Sequence, residues 1–342
     1  MLTSFMLVFL MLEFTDKIQN CSIRVMRFWV LAPLILICPV TITGVPVDEI
    51  VAPANPNPRD QPEAREALRV PEGWRRLRFD LEYDGTDFAG WQIQAKGERT
   101  VQGLLETALA PLGPSGRPIA AGRTDAGVHA LRMTAHVDVQ WNIPASKVVG
   151  ALNSRLPADV RVLSCSEAAE GFHARFSCAW RSYRYRILNA PTASALHRHR
   201  ALWIPHRLEV APMRDATRAL LGRHDFAAFA TQEERQTERE LFTCDVRSVP
   251  TMLGREGQHF IEVRLTGESF LRHMVRGIVG TLLEVGSGKL DSGAVRQVLE
   301  GRDRAKAGPN VAPYGLFFER AGYKPWGETR GNNVPQVQDV SG

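Results

Sequence analysis

Apolar and polar residues alternate in several short segments of the chain. In the segment LRFDLEYDG, Leu77, Phe79, Leu81 and Tyr83 fall on one side of an extended chain, and mostly charged residues fall on the other. A period of two is typical of a β-strand with one buried face. The segments AHVDVQW, YRYRI and HFIEVRLTG have the same pattern, so we expect strands there as well.

Four other segments place apolar residues three and four positions apart, which predicts helices. They are TVQGLLETALAPL, APMRDATRALLG, SFLRHMVRGIVGTLLEVGSG and SGAVRQVLEGRD. We expect Ser292 to cap the last of them, because a serine hydroxyl can accept a free N–H of the first turn. Strands mixed with helices at this spacing predict an α+β (mixed α/β) protein of two similar halves that meet near residues 189–203.

The start of the chain differs in composition from the rest. Residues 28–45, FWVLAPLILICPVTITGV, form an apolar run as long as a marginal membrane helix, and residues 46–73 are rich in proline and charge. A signal sequence or membrane anchor is one interpretation, and a start codon assigned too far upstream is the other. We predict an apolar extension and disordered linker, two α/β halves and a disordered tail, at residues 1–73, 74–190, 191–325 and 326–342.

The cysteine content and the net charge indicate the cellular compartment and the kind of partner. The chain carries five scattered cysteines without a C-x-x-C pair, which argues against a disulfide framework or a thiolate zinc site and favours a reduced, cytoplasmic compartment. The net charge of +5 is compatible with a polyanionic partner such as nucleic acid.

Motifs for common cofactors are absent from the sequence. There is no G-x-x-x-x-G-K-[ST] loop, no G-x-G-x-x-G after a strand and no helical histidine pair. In HRHR, residues 197–200, arginines separate the two histidines and would repel a metal cation, so this segment favours a surface patch that attracts anions. We therefore expect neither a metal nor a nucleotide cofactor.

One segment combines a single acid with small residues. AGRTDAGVHA places Asp125 between Gly122 and Gly127, two residues after Arg123. An ionised carboxylate can act as a nucleophile, as a general base or as a charge that stabilises an oxocarbenium-like sugar. It can equally cap a turn and pair with Arg123. The segment by itself leaves both interpretations open.

The segment GRTDAGVHA resembles the signature of the tRNA pseudouridine synthase A (TruA) family. YDGTDFAGWQIQ, FHARFSCAWRSYRYRI, FLRHMVRGIVGTLLEVG and GLFF resemble other segments of that family in the same order, from about Arg75 to Tyr323. The resemblance implies the pseudouridine synthase fold, with two ferredoxin-like halves whose sheets join around a central cleft. It also implies a homodimer that isomerises uridine to pseudouridine at positions 38, 39 and 40 of the tRNA anticodon stem-loop, without a cofactor.

The resemblance also assigns roles to individual residues. Asp125 matches the essential aspartate, and Tyr183 matches the tyrosine that stacks on the target base. Arg276 matches the basic residue that pairs with the aspartate, and Arg123 matches an arginine that holds the RNA when the target nucleotide is flipped. Candidates for phosphate contact, each with a solvated surface role as the alternative, are Arg181, Arg184, Arg186 and the HRHR segment.

The sequence departs from the family pattern in three places. Arg132 and Met133 stand where a small residue and glutamine are usual, and Ser182 stands where a basic residue is common. We expect these changes to affect RNA contact or packing and not the reacting groups.

A catalytically silent RNA-binding protein on the same fold and a membrane-anchored or secreted protein are the alternatives. The first 70 or so residues have no counterpart in the family. This favours a start codon assigned too far upstream, or a disordered extension, over an export signal.

Overall fold

The computed structural model describes residues 66–231, 236–251 and 259–328. Its helices are α1 (Val101–Leu109), α2 (Ala145–Asn153), α3 (Val210–Thr217), α4 (Met274–Gly286) and α5 (Ala294–Gly301). Its strands are β1 (Arg75–Tyr83), β2 (Ile119–Ala120), β3 (His129–Val139), β4 (Val160–Glu167), β5 (Trp180–Asn189), β6 (Leu202–Ile204), β7 (Gly222–Asp225), β8 (Glu238–Pro250), β9 (His259–Gly267) and β10 (Leu316–Gly322).

These strands form one continuous mixed sheet in the order β4-β1-β3-β10-β5-β9-β8-β7, with β2 beside β3 and β6 beside β5. The last strand, β10, lies between β3 and β5, and it runs parallel to the former and antiparallel to the latter. The two sequence halves therefore exchange neighbours, because β5 pairs with β9 while β10 pairs with β3. The mixed α/β class predicted from the sequence is confirmed.

The alternation in β1 is confirmed by burial. Leu77, Phe79 and Leu81 are fully buried, and they belong to the main hydrophobic core together with apolar residues of α1 and α2. The intervening residues lie on the other face, since successive side chains of a strand point to opposite sides. There Arg76 pairs with Asp138 of β3, with Nε 2.6 Å from the carboxylate.

The strand β5 occupies the middle of the sheet and is covered on both faces. Tyr183, Tyr185 and Ile187 lie in the main core. Leu188 points the other way, into a small cluster with Ala190, Ala201 and Phe260. Residues after β5 therefore fold back over the second face of the sheet.

Close glycine contacts fix α4 against the segment that precedes β10. A Cβ atom on Gly280 would lie 1.8 Å from the carbonyl oxygen of Pro309, and one on Gly277 would lie 2.6 Å from that of Phe229. No side chain fits at either place. The Gly280 contact brings the segment of residues 304–311 beside α4, and the Gly277 contact places Phe229 beside its first turn, where the candidate site lies.

Several expectations need correction. Ser292 does not cap the last helix, because α5 begins after Gly293, whose N–H is accepted by the side chain of Asp291 instead. At the end of the expected linker, the carbonyls of Ala67 and Arg69 accept hydrogen bonds from Arg76. Elements without a clear periodicity, which the sequence did not predict, are α2, β2, β4, β6, β7 and β8.

The two ends of the chain were expected to be an apolar extension and a disordered tail. The apolar run at residues 28–45 lies outside the described residues. Within the described ranges, no helix has the length and apolar character needed to cross a bilayer. At the other end, Trp326 of the expected tail packs edge-on against Trp180, with ring centres 5.1 Å apart.

Candidate active site

The acidic loop, residues 121–128 between β2 and β3, is held by an opening loop, residues 84–91, that follows β1. The Trp91 amide donates to the carbonyl of Thr124 at 3.0 Å, and the Gly127 amide donates to that of Phe88 at 3.2 Å. Gly90 has a φ of +111°, and a Cβ atom there would lie 2.6 Å from the Thr124 carbonyl oxygen. Glycine is therefore required at residue 90 for the two loops to meet.

His129, the first residue of β3, ties the end of the acidic loop to the opening loop. Its Nδ1 accepts the Gly85 N–H at 2.9 Å, and its Nε2 lies 3.0 Å from the carbonyl oxygen of Tyr314. Asp84 also lies 3.1 Å from Nδ1, but this contact is not an ion pair because Nδ1 already accepts the Gly85 N–H. Burial lowers the pKa of His129, which agrees with a neutral ring protonated on Nε2.

The acidic loop presents the carboxylate of Asp125 to solvent beside His273, which precedes α4, and Arg276 in its first turn. The Asp125 side chain is 38% exposed, and its Oδ2 lies 3.4 Å from Nε2 of His273 and 3.8 Å from Nη1 of Arg276. Arg276 is held in place by a hydrogen bond from Nε to the carbonyl of Val311 at 2.6 Å. The structure thus brings Asp125 and Arg276 together, as the resemblance implied.

Arg123 is not the partner of Asp125. Its side chain is exposed, and within the described ranges it makes no ion pair or hydrogen bond. The alternative in which Asp125 only caps a turn and pairs with Arg123 therefore has no support in the geometry. A free arginine at the edge of the acidic loop is available to a ligand.

Tyr183 lies on β5 under the start of the acidic loop. Its ring packs edge-on against Phe270 and Phe318, with ring centres 4.9 Å and 5.3 Å away. A Cβ atom on Gly122 would lie 3.6 Å from the Tyr183 hydroxyl. The residue is 8% exposed, and burial raises the pKa of its hydroxyl well above the usual range. Tyr183 is therefore a neutral phenol whose ring is held rigidly at the floor of the site.

The three arginines proposed for phosphate contact are instead engaged within the protein. Arg181 donates to the carbonyls of Ala121 at 2.9 Å and 3.0 Å and of Glu268 at 2.7 Å. Arg184 and Arg186 lie on the face of the sheet opposite Tyr183, because side chains alternate along β5. Both approach the buried carboxylate of Glu262. These positions give the three arginines structural roles, and their contact with RNA stays a prediction.

The three departures from the family pattern are also accounted for by contacts. Arg132 lies 3.3 Å from a carboxylate oxygen of Asp80 on the exposed side of the sheet. Met133 is fully buried in the main core. The Ser182 hydroxyl donates to Glu319 at 3.2 Å. Each replacement fits its surroundings away from the Asp125 carboxylate.

His273 belongs to the site but was not predicted from the sequence. It precedes the first residue of α4 and has a φ of +62°, the left-handed region that few residues other than glycine adopt. A polar residue three positions before Arg276 at the start of an apolar helix was the available signal. Its backbone conformation and its contact with Asp125 depend on distant parts of the chain.

The site chemistry rests on one exposed carboxylate. Within the described ranges no three histidine, cysteine, aspartate or glutamate side chains are grouped as metal ligands. Asp125 can attack an electrophilic carbon or remove a proton. The exposed fraction of Asp125 allows a bound molecule to reach the carboxylate.

Known proteins resemble this chain over the same segments. The family described as tRNA pseudouridine synthase matches residues 81–177 and 216–324, which include Asp125 and Arg276. A tRNA pseudouridine synthase A of Thermus thermophilus is 51% identical over 251 residues, 73% of this chain and 97% of that protein. Proteins of the same name from Paramagnetospirillum magneticum and Bacillus pumilus are 45% and 40% identical, over 75% and 71% of this chain and 98% and 97% of their own lengths. With the acidic loop, the helix start and the mixed sheet in place, the chain belongs to the tRNA pseudouridine synthase family.

Proposed function

We propose that this protein isomerises uridine to pseudouridine at positions 38, 39 and 40 of the tRNA anticodon stem-loop, with Asp125 as the essential acid. The family membership supports an isomerase that acts on tRNA. The observation that carries the catalytic assignment is the exposed Asp125 carboxylate beside Arg276, on a loop fixed by backbone contacts.

The reaction needs no oxidant, reductant or second substrate. The bond between C1′ and N1 of uridine breaks, the uracil turns while it is bound, and a bond between C1′ and C5 forms. The proton lost from C5 is balanced by a proton gained at N1, so substrate and product are isomers. Asp125 can serve this sequence by attacking C1′ or C6 or by removing a sugar proton to give a glycal, and the geometry is compatible with all three.

The target base must leave the RNA stack before it can reach Asp125. Extrusion of a base costs a few kcal/mol, which contacts in the flipped state must offset. Tyr183 offers the edge of a rigid aromatic ring at the floor of the site, suited to contact with a base. Arg123 is exposed and without a protein partner in the described ranges, so it is the best placed arginine to hold the RNA.

We further propose that the protein acts in the cytoplasm as a homodimer, with one tRNA contacting both subunits. Both parts rest on the resemblance to the family and on the occurrence of the substrate where tRNA is matured. Light scattering of the purified protein, with and without tRNA, tests the dimer. Fractionation of cells with mass spectrometry of the N-terminus tests the compartment.

The catalytic proposal is tested with tRNA labelled by tritium at C5 of uridine, because formation of the new glycosidic bond releases that hydrogen to water. We expect the wild-type protein to release tritium from tRNA with uridine at positions 38 to 40 and to yield pseudouridine there by mass spectrometry. Asp125→Asn should release at least about a thousandfold less, because its neutral amide can neither attack nor accept a proton.

The matched control is Asp87→Asn, which changes an exposed aspartate on the neighbouring opening loop. It should keep wild-type activity, and both variants should bind tRNA within about threefold of the wild type. Binding without any product from the wild-type protein would favour the silent RNA-binding alternative. Product from Asp125→Asn would remove the aspartate from the mechanism.

A further inference from the structure

His273 contacts Asp125 from the side opposite the acidic loop, in a backbone conformation that costs free energy. Its φ of +62° places it in the left-handed region, where glycine and asparagine are favoured. The conformation is fixed on both sides, because the Gly277 amide donates to the His273 carbonyl at 2.9 Å and the Thr231 amide donates to the Arg272 carbonyl at 3.2 Å. Strain of this kind is retained where the side chain has a function.

A chain of hydrogen bonds determines which ring nitrogen of His273 carries the proton. Nη2 of Arg304 donates to Oδ1 of Asn310 at 3.2 Å, which fixes the orientation of the amide. Nδ2 of Asn310 then donates to the hydroxyl oxygen of Thr231 at 3.2 Å. The Thr231 hydroxyl lies 3.0 Å from Nδ1 of His273 and has its own hydrogen left to donate. A carboxylate can only accept a hydrogen bond, so we assign the ring hydrogen to Nε2, which faces Asp125, and Nδ1 accepts the hydrogen of the Thr231 hydroxyl.

The charges around His273 favour the neutral ring. Arg272 and Arg276 belong to its own element, and Arg304 belongs to the segment packed against the start of α4. The negative charge that faces it is Asp125 of the acidic loop, and the hydroxyl of Thr231 faces the other nitrogen. Burial and the three arginines lower the pKa of His273, while Asp125 alone raises it.

We propose that His273 is a positioning residue that donates a neutral Nε2–H to Asp125 and so aims the carboxylate at the substrate without neutralising it. The contact of 3.4 Å is longer than an ideal hydrogen bond, and we expect it to shorten when the substrate binds. A charged ring would instead form an ion pair with Asp125, and that would weaken the carboxylate as a nucleophile or base. This proposal rests on the proposed function for its kinetic readout.

The test compares His273→Asn with His273→Gln, since neither side chain can become charged. Asparagine accepts the left-handed backbone but is too short to reach Asp125, whereas the longer glutamine can place an amide N–H near the position of Nε2. We expect kcat for tritium release to fall about tenfold to a hundredfold in His273→Asn, with KM for tRNA within about twofold. His273→Gln should recover most of kcat, and both melting temperatures should stay near that of the wild type.

The pH profile gives a readout that a structural role alone would not change. Wild-type kcat should fall on the acid side as His273 becomes charged, with a midpoint below 6.5, the ordinary pKa of histidine. His273→Gln should lack this decrease. An acid limb that is the same in both proteins, or wild-type kcat in His273→Asn, would overturn the proposal.

Nitrogen NMR of protein labelled with ¹⁵N-histidine tests the protonation state independently of activity. We expect the resonance that disappears in His273→Asn to show hydrogen on Nε2, and Thr231→Val to mix the two tautomers, because it removes the donor to Nδ1. Hydrogen on Nδ1 in the native protein would refute the assignment. If the wild-type protein released no tritium, the proposed function would fail, while this measurement would still decide the state of His273.

Discussion

The two sides of Asp125 are built in different ways. On the loop side, the acidic loop meets the opening loop through backbone hydrogen bonds and glycines whose added Cβ atoms would clash with main-chain atoms. On the helix side, His273 and Arg276 reach Asp125 only through side-chain contacts of 3.4 Å and 3.8 Å. Main-chain contacts therefore fix the backbone of Asp125, while the direction of its carboxylate depends on side chains of the helix side, which are themselves held by Val311 and Thr231.

A single arginine, Arg181, connects the loop side to the helix side. Arg181 donates to the carbonyl of Ala121 at the start of the acidic loop and to that of Glu268, two residues before Phe270, which packs on Tyr183. Its guanidinium thus joins the loop side to the segment that leads into α4. A planar group with five donors suits such a bridge, and lysine could not replace it.

The largest expected effect comes from breaking the loop side at Gly85. In Gly85→Ala, the new Cβ atom would lie 2.0 Å from the main-chain carbonyl oxygen of Val128, which cannot move aside as a flexible side chain could. We expect the free energy of unfolding to fall by about 3 kcal/mol, together with activity. The control is Gly150→Ala in α2, where no atom lies within 4 Å of the added Cβ.

Urea unfolding measures both variants. Gly150→Ala should be neutral or stabilising by up to about 1 kcal/mol, because alanine is the better helix former. Equal stability for the two alanine variants would mean that the loop side tolerates displacement and that the contrast with the helix side is wrong.

Acid should have the next largest effect, at two buried histidines whose ring centres lie 4.4 Å apart. Burial lowers the pKa of His136 in β3 to about 2 and that of His173 to about 4, from an ordinary 6.5. Folded-state values below the unfolded ones mean that stability is complete above pH 6.5 and is lost as the pH falls. Each histidine should cost about 1.4 kcal/mol by pH 5.5.

Urea unfolding at pH 8 and pH 5.5 checks this expectation before most carboxylates are protonated. Asparagine does not titrate in this range, so His173→Asn should remove about 1.4 kcal/mol from the pH-dependent difference. The Nδ1 atom of His173 accepts the amides of Arg175 and Phe176, and the amide oxygen of the introduced asparagine is suited to the same contacts. An unchanged difference between the two pH values would contradict the assignment.

The smallest effect on stability should come from Arg123, in contrast to Arg181. Arg181→Met removes hydrogen bonds to the carbonyls of Ala121 and Glu268, so we expect a loss of about 2 kcal/mol. Arg123→Met removes an exposed side chain without a partner in the described ranges and should change stability by less than about 0.5 kcal/mol.

The affinity for tRNA, measured at a fixed salt concentration, is the second measurement on these variants. Arg123→Met should weaken binding about threefold to tenfold, since one cation at the RNA is lost. Unchanged binding in Arg123→Met would show that the exposed arginine beside Asp125 is not an RNA contact, and another basic surface would have to serve.

The sequence predicted those parts of the molecule that depend on near neighbours. The alternation in β1 and β5 identified Leu77 and Tyr183 as inward residues, because strand geometry follows from a local period. The roles of Asp125 and Arg276 came from resemblance, since nothing local says that residues so far apart along the chain will meet.

What the sequence did not predict depends on distant contacts. The position of His273 is set by Thr231 and by the segment that contains Asn310, each far away along the chain. Arg184 and Arg186 had the spacing of an exposed face, yet Glu262 on the neighbouring strand covers their charge. Residues of the neighbouring strand determine whether such an arginine is paired. The spacing of residues along one strand does not predict which residues those are.

The position of β10 has a consequence for the synthesis of the protein. On the ribosome, β3 and β5 are complete long before residues 316–322 emerge, yet β10 must lie between them. Until then each of these strands has an open edge that could pair with another chain. We expect the nascent protein to remain inactive and prone to association until its last strand is released, so that only a finished chain can modify tRNA.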